Sequence, residues 1–158
     1  MAENPILYTH AAYQLYTEMD NTSMELIRYC HEFGAEAVIV PADTPYIYWD
    51  VENMEGKGIL SHKHTAVLAG LGILGHNTIF MNPEYGNMVY LGSVLVDAEL
   101  KQDELMTDFS CIPGCRKCIN ACPVGAISDG HVNQKLCREK PFLKWDEVGI
   151  YISAVNAE

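Results

Sequence analysis

SCIPGCRKCINACPVGAI, Ser110 to Ile127, packs four of the chain's six cysteines into one short stretch. The spacing is Cys111-x3-Cys115-x2-Cys118-x3-Cys122-Pro123. A bacterial-type [4Fe–4S] run reads C-x2-C-x2-C-x3-C-P, so the departure is one added residue between the first two cysteines. A cubane needs thiolates on several faces, and a tight loop with ligands three residues apart wraps around it. Backbone N–H groups of such a loop point at sulfur and offset the cluster's negative charge. Gly114 can absorb the added residue through a conformation closed to other residues, and Pro123 turns the chain away. Structural zinc usually shows two C-x2-C pairs about 15–20 residues apart. Here one such pair exists and Cys122 and Cys137 stand singly, so iron–sulfur is the favoured reading, with zinc and a disulfide scaffold as its alternatives.

The number of ligands poses a question. In two-cluster proteins the fourth cysteine of the run binds the other cluster. By that rule Cys111, Cys115 and Cys118 hold one cluster and take a fourth ligand from elsewhere, while Cys122 and Cys137 begin a second. Five cysteines satisfy one cubane, not two, and the expectation is that Cys122 or Cys137 turns back to complete it. The bland alternative for Cys137 is a small buried hydrophobe. Cys30, on the apolar face of a helix far upstream, reads as core.

The remainder of the 158 residues is globular in composition, 49% hydrophobic and 20% charged. A net charge of −11 with ten Lys and Arg argues against a nucleic-acid surface. The longest apolar run, AVLAGLGILG (Ala66 to Gly75), is short and glycine-broken, so no membrane span is expected. MAENPILYTH has neither the basic segment nor the apolar run of a signal peptide. The expected compartment is the cytoplasm, where clustered cysteines more often bind metal than pair.

Along the chain, Ala11 to Phe33 reads as mostly helical, with Asn21 or Ser23 capping a second helix and Gly34 ending it. EAVIVP (Glu36 to Pro41) reads as a buried strand, and DTPYIYWDVENMEGKG as a loop. Ser61 can cap a helix over His62 to Leu71. TIFMN and NMVYLGSVLV flank PEYG, a turn between strands. An acidic linker, DAELKQDELMTD, leads to the cysteines. AIS-DG-HVN reads as a small hairpin, followed by a short helix carrying Cys137.

His62, His64 and His76 flank the glycine turn and could line a cofactor pocket, or cap helix ends. Gly70, Gly72 and Gly75 do form G-x-G-x-x-G, but the motif ends a helix where a dinucleotide site would open one. Close backbone packing is the better reading. Tyr46, Tyr48 and Trp49 could stack on a planar ligand or cover a core edge. No nucleophile arrangement is indicated, and no catalytic residue is assigned.

Three stretches together resemble the epoxyqueuosine reductases and their paralogues, a family of iron–sulfur proteins related to reductive dehalogenases. SHKHTAVLAGLGILGHNTIFMNPEYGNMVYLGSVLVDAEL is similar to the segment that precedes their clusters, CRKCINACPVGAI to their first cluster motif, and ELIRYCHEFGAEAVIVPA to an upstream helix and strand. The resemblance runs from about Ala11 to Glu139. It implies an α+β fold: a partial α/β, cobalamin-domain-like portion over residues 1–108, then a small ferredoxin-like cluster-binding portion over 109–158. It also implies a corrinoid-dependent oxidoreductase with cobalamin beside [4Fe–4S] clusters, one or two here. By matching position Cys111, Cys115 and Cys118 are ligands of the first cluster, and Cys122 and Cys137 of the second; His62, His64, Gly72, Gly75 and His76, around the glycine turn, are the candidate cofactor-binding residues. The alternative is a non-catalytic ferredoxin-type electron carrier working with a partner protein. A redox partner is expected in either case, and a second copy of the chain could donate cysteines across an interface. His76 stands where the family has lysine, Asp43 in PADTPY matches only loosely the family's catalytic D-x-A-P stretch, and its second cysteine motif is absent. The acidic balance disfavours the tRNA substrate of the tRNA-modifying members without closing that question.

Overall fold

In the computed structural model, residues 5–138 are described. The first element, α1, runs unbroken from Pro5 to Glu32. Asn21 and Ser23 therefore lie inside one helix instead of capping a second. Thr17, Thr22 and Ser23 return their hydroxyls to the carbonyls of Tyr13, Glu18 and Met19, four residues back, which satisfies them without breaking the helix. Beyond the helix Gly34 donates to the His31 carbonyl and Ala35 to that of Cys30, closing its C-terminus.

Strand β1, Ala37–Val40, pairs antiparallel with β6, Ser93–Val96, in the register Ala37↔Val96 to Val40↔Ser93. This two-stranded sheet packs on α1, where Ile27 is buried, and Val40 is buried at the end of β1. The paired residues Val38 and Leu95 are open to solvent, 58% and 42% exposed.

The stretch expected to be a loop contains a hairpin: β2, Tyr48–Asp50, pairs with β3, Glu55–Lys57. Its turn is held by Asp50, whose carboxylate accepts from both the backbone and the side-chain amide of Asn53. Helix α2, His62–Leu68, follows Ser61 and is shorter than expected. Strands β4, Ile73–Leu74, and β5, Phe80–Met81, pair with each other, burying Phe80; α2 packs on β4 with Ala66 buried. PEYG does form a turn, closed by reciprocal Asn82 and Gly86 bonds. The strands around it are not partners, however, because β5 pairs with β4 and β6 with β1.

The last part holds α3, Lys117–Asn120, and the expected hairpin of β7, Ile127–Ser128, with β8, His131–Val132. Residues 134–138 are helical, as expected for the segment carrying Cys137. Mixed helix and small antiparallel sheets make the architecture α+β.

Candidate metal centre and its cavity

The cysteine loop is built from short local turns. Gly114 sits at φ 73°, between Pro113 and a Cys115 whose N–H returns to the Ile112 carbonyl at 3.0 Å. The added residue of the first spacing is taken up there, in a backbone conformation that glycine adopts without strain. Cys118 lies in α3, and Cys122 follows its end with an N–H bonded to the Ile119 carbonyl at 3.2 Å. All six cysteines are free thiols: Cys137 is exposed and the other five are partly buried.

Cys122 is the cysteine with the most developed surroundings. Its sulfur accepts from the Ala126 N–H at 3.3 Å. The backbone N–H groups of Val124, then of Ala126, Ile127 and Gly125, hold its thiol below the ordinary range, against a desolvation that raises it. Converging N–H donors favour a thiolate, the form that binds metal.

The donor chemistry of this loop fits an iron–sulfur cluster, with four free thiols at near-ferredoxin spacing and amide donors turned on a sulfur. Among the described residues no three His, Cys, Asp or Glu side chains converge on one point to hold a single ion. A cubane makes a different demand. Each of its four irons takes its own protein ligand, so its donors stand apart around a cluster instead of meeting at one ion.

Beside the loop lies a cavity of about 700 Å³, within the size range of small-molecule sites. Phe109, Ser110, Cys111, Pro113 and Gly114 form one wall. Ile73 to His76 and Thr78 form the other, with Gly130 at the edge. Of the residues expected at a cofactor, Gly75 and His76 line this cavity with Cys111. His62, His64 and Gly72 do not. His62 lies between the Ser93 hydroxyl at 2.7 Å and the Pro41 carbonyl at 2.9 Å, and links α2 to the β1–β6 sheet. His64 pairs with the Ser61 hydroxyl at 2.8 Å. Gly72 packs so tightly that a Cβ there would strike the Met81 carbonyl and the Phe80 ring, and one at Gly70 would strike the Glu104 carbonyl of the acidic linker. The glycine motif thus serves close backbone packing.

His76 is tied to the hairpin that follows the cysteines. Its Nδ1 meets the Asp129 carboxylate, and its carbonyl accepts from the Gly130 N–H at 3.0 Å. Asp129 was legible in the sequence only as a turn residue, since nothing local marks a partner that far upstream. Near Cys137, the Arg138 guanidinium lies 5.1 Å from the centre of the Trp49 ring, joining that helix to the β2–β3 hairpin. Trp49 and Tyr46 also face each other at 5.5 Å, so these aromatic rings cover a packed edge.

Fold and site together define an α+β protein whose ferredoxin-spaced cysteine loop walls a cavity against a glycine turn. No family model matches the chain. It is similar to epoxyqueuosine reductases: that of Listeria monocytogenes is 35% identical over 88 residues, 55% of this chain and 23% of the relative. The Bacillus cereus enzyme is 37% identical over 89 residues, 56% of this chain and 23% of its own length. Among solved structures, epoxyqueuosine reductase from Streptococcus thermophilus matches at TM-score 0.54 and 26% identity, over 78% of this chain and 29% of that one. A selenomethionine-labelled epoxyqueuosine reductase matches at TM-score 0.54 and 26% identity, over 72% and 26%. A third, solved with an epoxyqueuosine-modified tRNA stem loop, matches in fold at TM-score 0.53 and 24% identity, over 72% and 28%. The chain is thus a relative of the epoxyqueuosine reductases in sequence and fold, and spans about a quarter of the length of the curated relatives it matches.

Proposed function

We propose that the chain is the iron–sulfur part of an epoxyqueuosine reductase-like oxidoreductase, in which the loop from Cys111 to Cys122 holds a [4Fe–4S] cluster. The observation that carries this reading is the cysteine spacing, with all its thiols free, in a chain similar to those reductases. Cys111, Cys115 and Cys118 are the loop ligands, and Cys122 and Cys137 are the remaining thiols at hand. When bound, the cluster supplies one-electron transfer. The chain's own residues fix the loop and direct amide donors at sulfur.

On this reading residues 109–138 belong to a ferredoxin-like cluster-binding portion and residues 5–108 correspond to part of a corrinoid-binding domain; the rest of the expected portions, 1–4 and 139–158, lies outside the described residues. Cobalamin enters through the resemblance alone. A redox partner protein delivers the electrons. The tRNA stem loop belongs to the structural neighbour that contains it, and a net charge of −11 speaks against the same substrate here. No described helix is long and apolar enough to cross a membrane, which agrees with a cytoplasmic enzyme.

The test is anaerobic reduction by dithionite followed by electron paramagnetic resonance. A reversible signal from a reduced [4Fe–4S] cluster is expected, and its absence from iron-loaded protein overturns the reading. Added hydroxocobalamin then separates two versions: corrinoid retained on gel filtration supports a corrinoid enzyme, and none retained supports an electron-carrier module.

A further inference from the structure

We propose that the open face of helix α1 is a docking surface for an amphipathic helix of a partner protein, one whose apolar stripe is flanked by lysine or arginine. α1 packs on β1 and β6 and lines no part of the cavity beside the cysteines, so this face is independent of what the loop holds. Two stripes run along the helix. One is covered: Ser23 and Ile27 are buried, and Met19 and Ser23 lie so near the backbone before β6 that a Cβ at Gly92 would meet both. The other is open. Tyr8, Leu15 and Tyr29 fall on a seven-residue repeat with Thr22 between them, and Leu26 and Phe33 stand four residues after Thr22 and Tyr29. Residues spaced by four and seven share one helix face. These five side chains are 44–72% exposed, and the Tyr29 and Phe33 rings lie 4.8 Å apart. Aromatic rings carry about 150–250 Å² each. Three of them and two leucines make an open patch on the order of several hundred Å², a size that marks an interaction surface.

Charge selects the occupant. Glu18, Glu25 and Glu32 repeat every seven residues along the outer edge of the open stripe, and all three are exposed. Among the described residues none of the three is in an ion pair. Arg28, the one Lys or Arg of α1, lies farther round the helix. In paired helices the residues flanking the apolar seam choose the partner by their charge. A second copy laid antiparallel would set this row against like charges, and the anionic surface of a membrane would repel it. A helix carrying Lys or Arg beside its apolar stripe satisfies both the seam and the row.

The test uses the full chain and two labelled synthetic helices of about four heptads, both with leucine along the seam, one flanked by lysine and the other by glutamate. Fluorescence anisotropy should show the lysine helix binding at least about tenfold more tightly than the glutamate helix. Its binding should weaken as salt rises from about 50 to 500 mM. Leu26→Ala combined with Tyr29→Ala, both at exposed positions, should weaken the lysine helix at least about tenfold. Val51→Ser, in the exposed β2–β3 turn, should leave it unchanged. Glu18→Lys, Glu25→Lys and Glu32→Lys together should reverse the preference between the two helices, a result that a folding defect cannot imitate. Equal binding of the two helices, or binding that neither set of changes alters, overturns the inference. So does a dimer in sedimentation that Leu26→Ala with Tyr29→Ala dissolves, which gives the face to a second copy. Retention on neutral phosphatidylcholine vesicles that the same variant abolishes also overturns it, and gives the face to a membrane.

Discussion

His76 and Asp129 lie 53 residues apart in the chain and meet beside the cavity that the cysteine loop walls, which His76 and Gly130 line. Their contact joins the glycine turn to the hairpin behind the cysteines, two segments that have no local reason to approach. Asp129 is 62% and His76 32% exposed, so solvent screens the pair and its contribution to stability is expected within about 0–1 kcal/mol. Asp129→Ala should therefore move a urea-unfolding midpoint only slightly.

Packing at the glycine turn makes a sharper demand. Gly72→Ala drives a methyl into the Met81 carbonyl and the Phe80 ring, backbone and core atoms that cannot swing aside. Overpacking of this kind costs about 1–3 kcal/mol. Denaturant unfolding should show that loss for Gly72→Ala, and a shift of under about 0.5 kcal/mol for a surface control such as Lys101→Gln.

The face of α1 against β1 and β6 is the core of the first half. Ile27 is buried there, and truncation to alanine should destabilise by about 2–5 kcal/mol in the same assay. Val38→Thr, at a residue of β1 open to solvent, should change stability by less than about 0.5 kcal/mol. An equal loss at both positions would contradict the packing described.

Alkaline pH tests Tyr16. Burial, and then the charge of Asp43, push its phenol above the usual value of 10.0. A raised phenol favours the protonated form in the folded state, so its contribution is fully present below pH 10 and is lost as pH rises through the folded value. Tyr16→Phe should flatten the alkaline limb of a stability-against-pH curve and leave the neutral region's slope unchanged.

How far the sequence reached can be seen element by element. The strand at EAVIVP, the helix after Ser61 and the Asp-Gly hairpin were legible because each is specified by its own residues. The β2–β3 hairpin was not, since its turn uses Met54 at φ 54° where the usual signal is glycine or asparagine. The unbroken α1 was hidden because hydroxyl residues read as caps, and only the finished helix shows Ser23 buried and bonded backward. The pairing of β1 with β6 joins residues such as Ala37 and Val96, too distant for any local pattern to register. At the site, the cysteine loop was plain in its spacing. The cavity opposite it and the Asp129 partner of His76 are tertiary facts.

Iron and acid-labile sulfide counted on anaerobically purified chain test the central claim most directly, with single Cys→Ser variants at 111, 115, 118 and 30. About four irons and four sulfides per chain are predicted, falling at least severalfold in the first three variants and unchanged in Cys30→Ser. Stoichiometric zinc, or fewer than about three irons in wild type, would contradict the account.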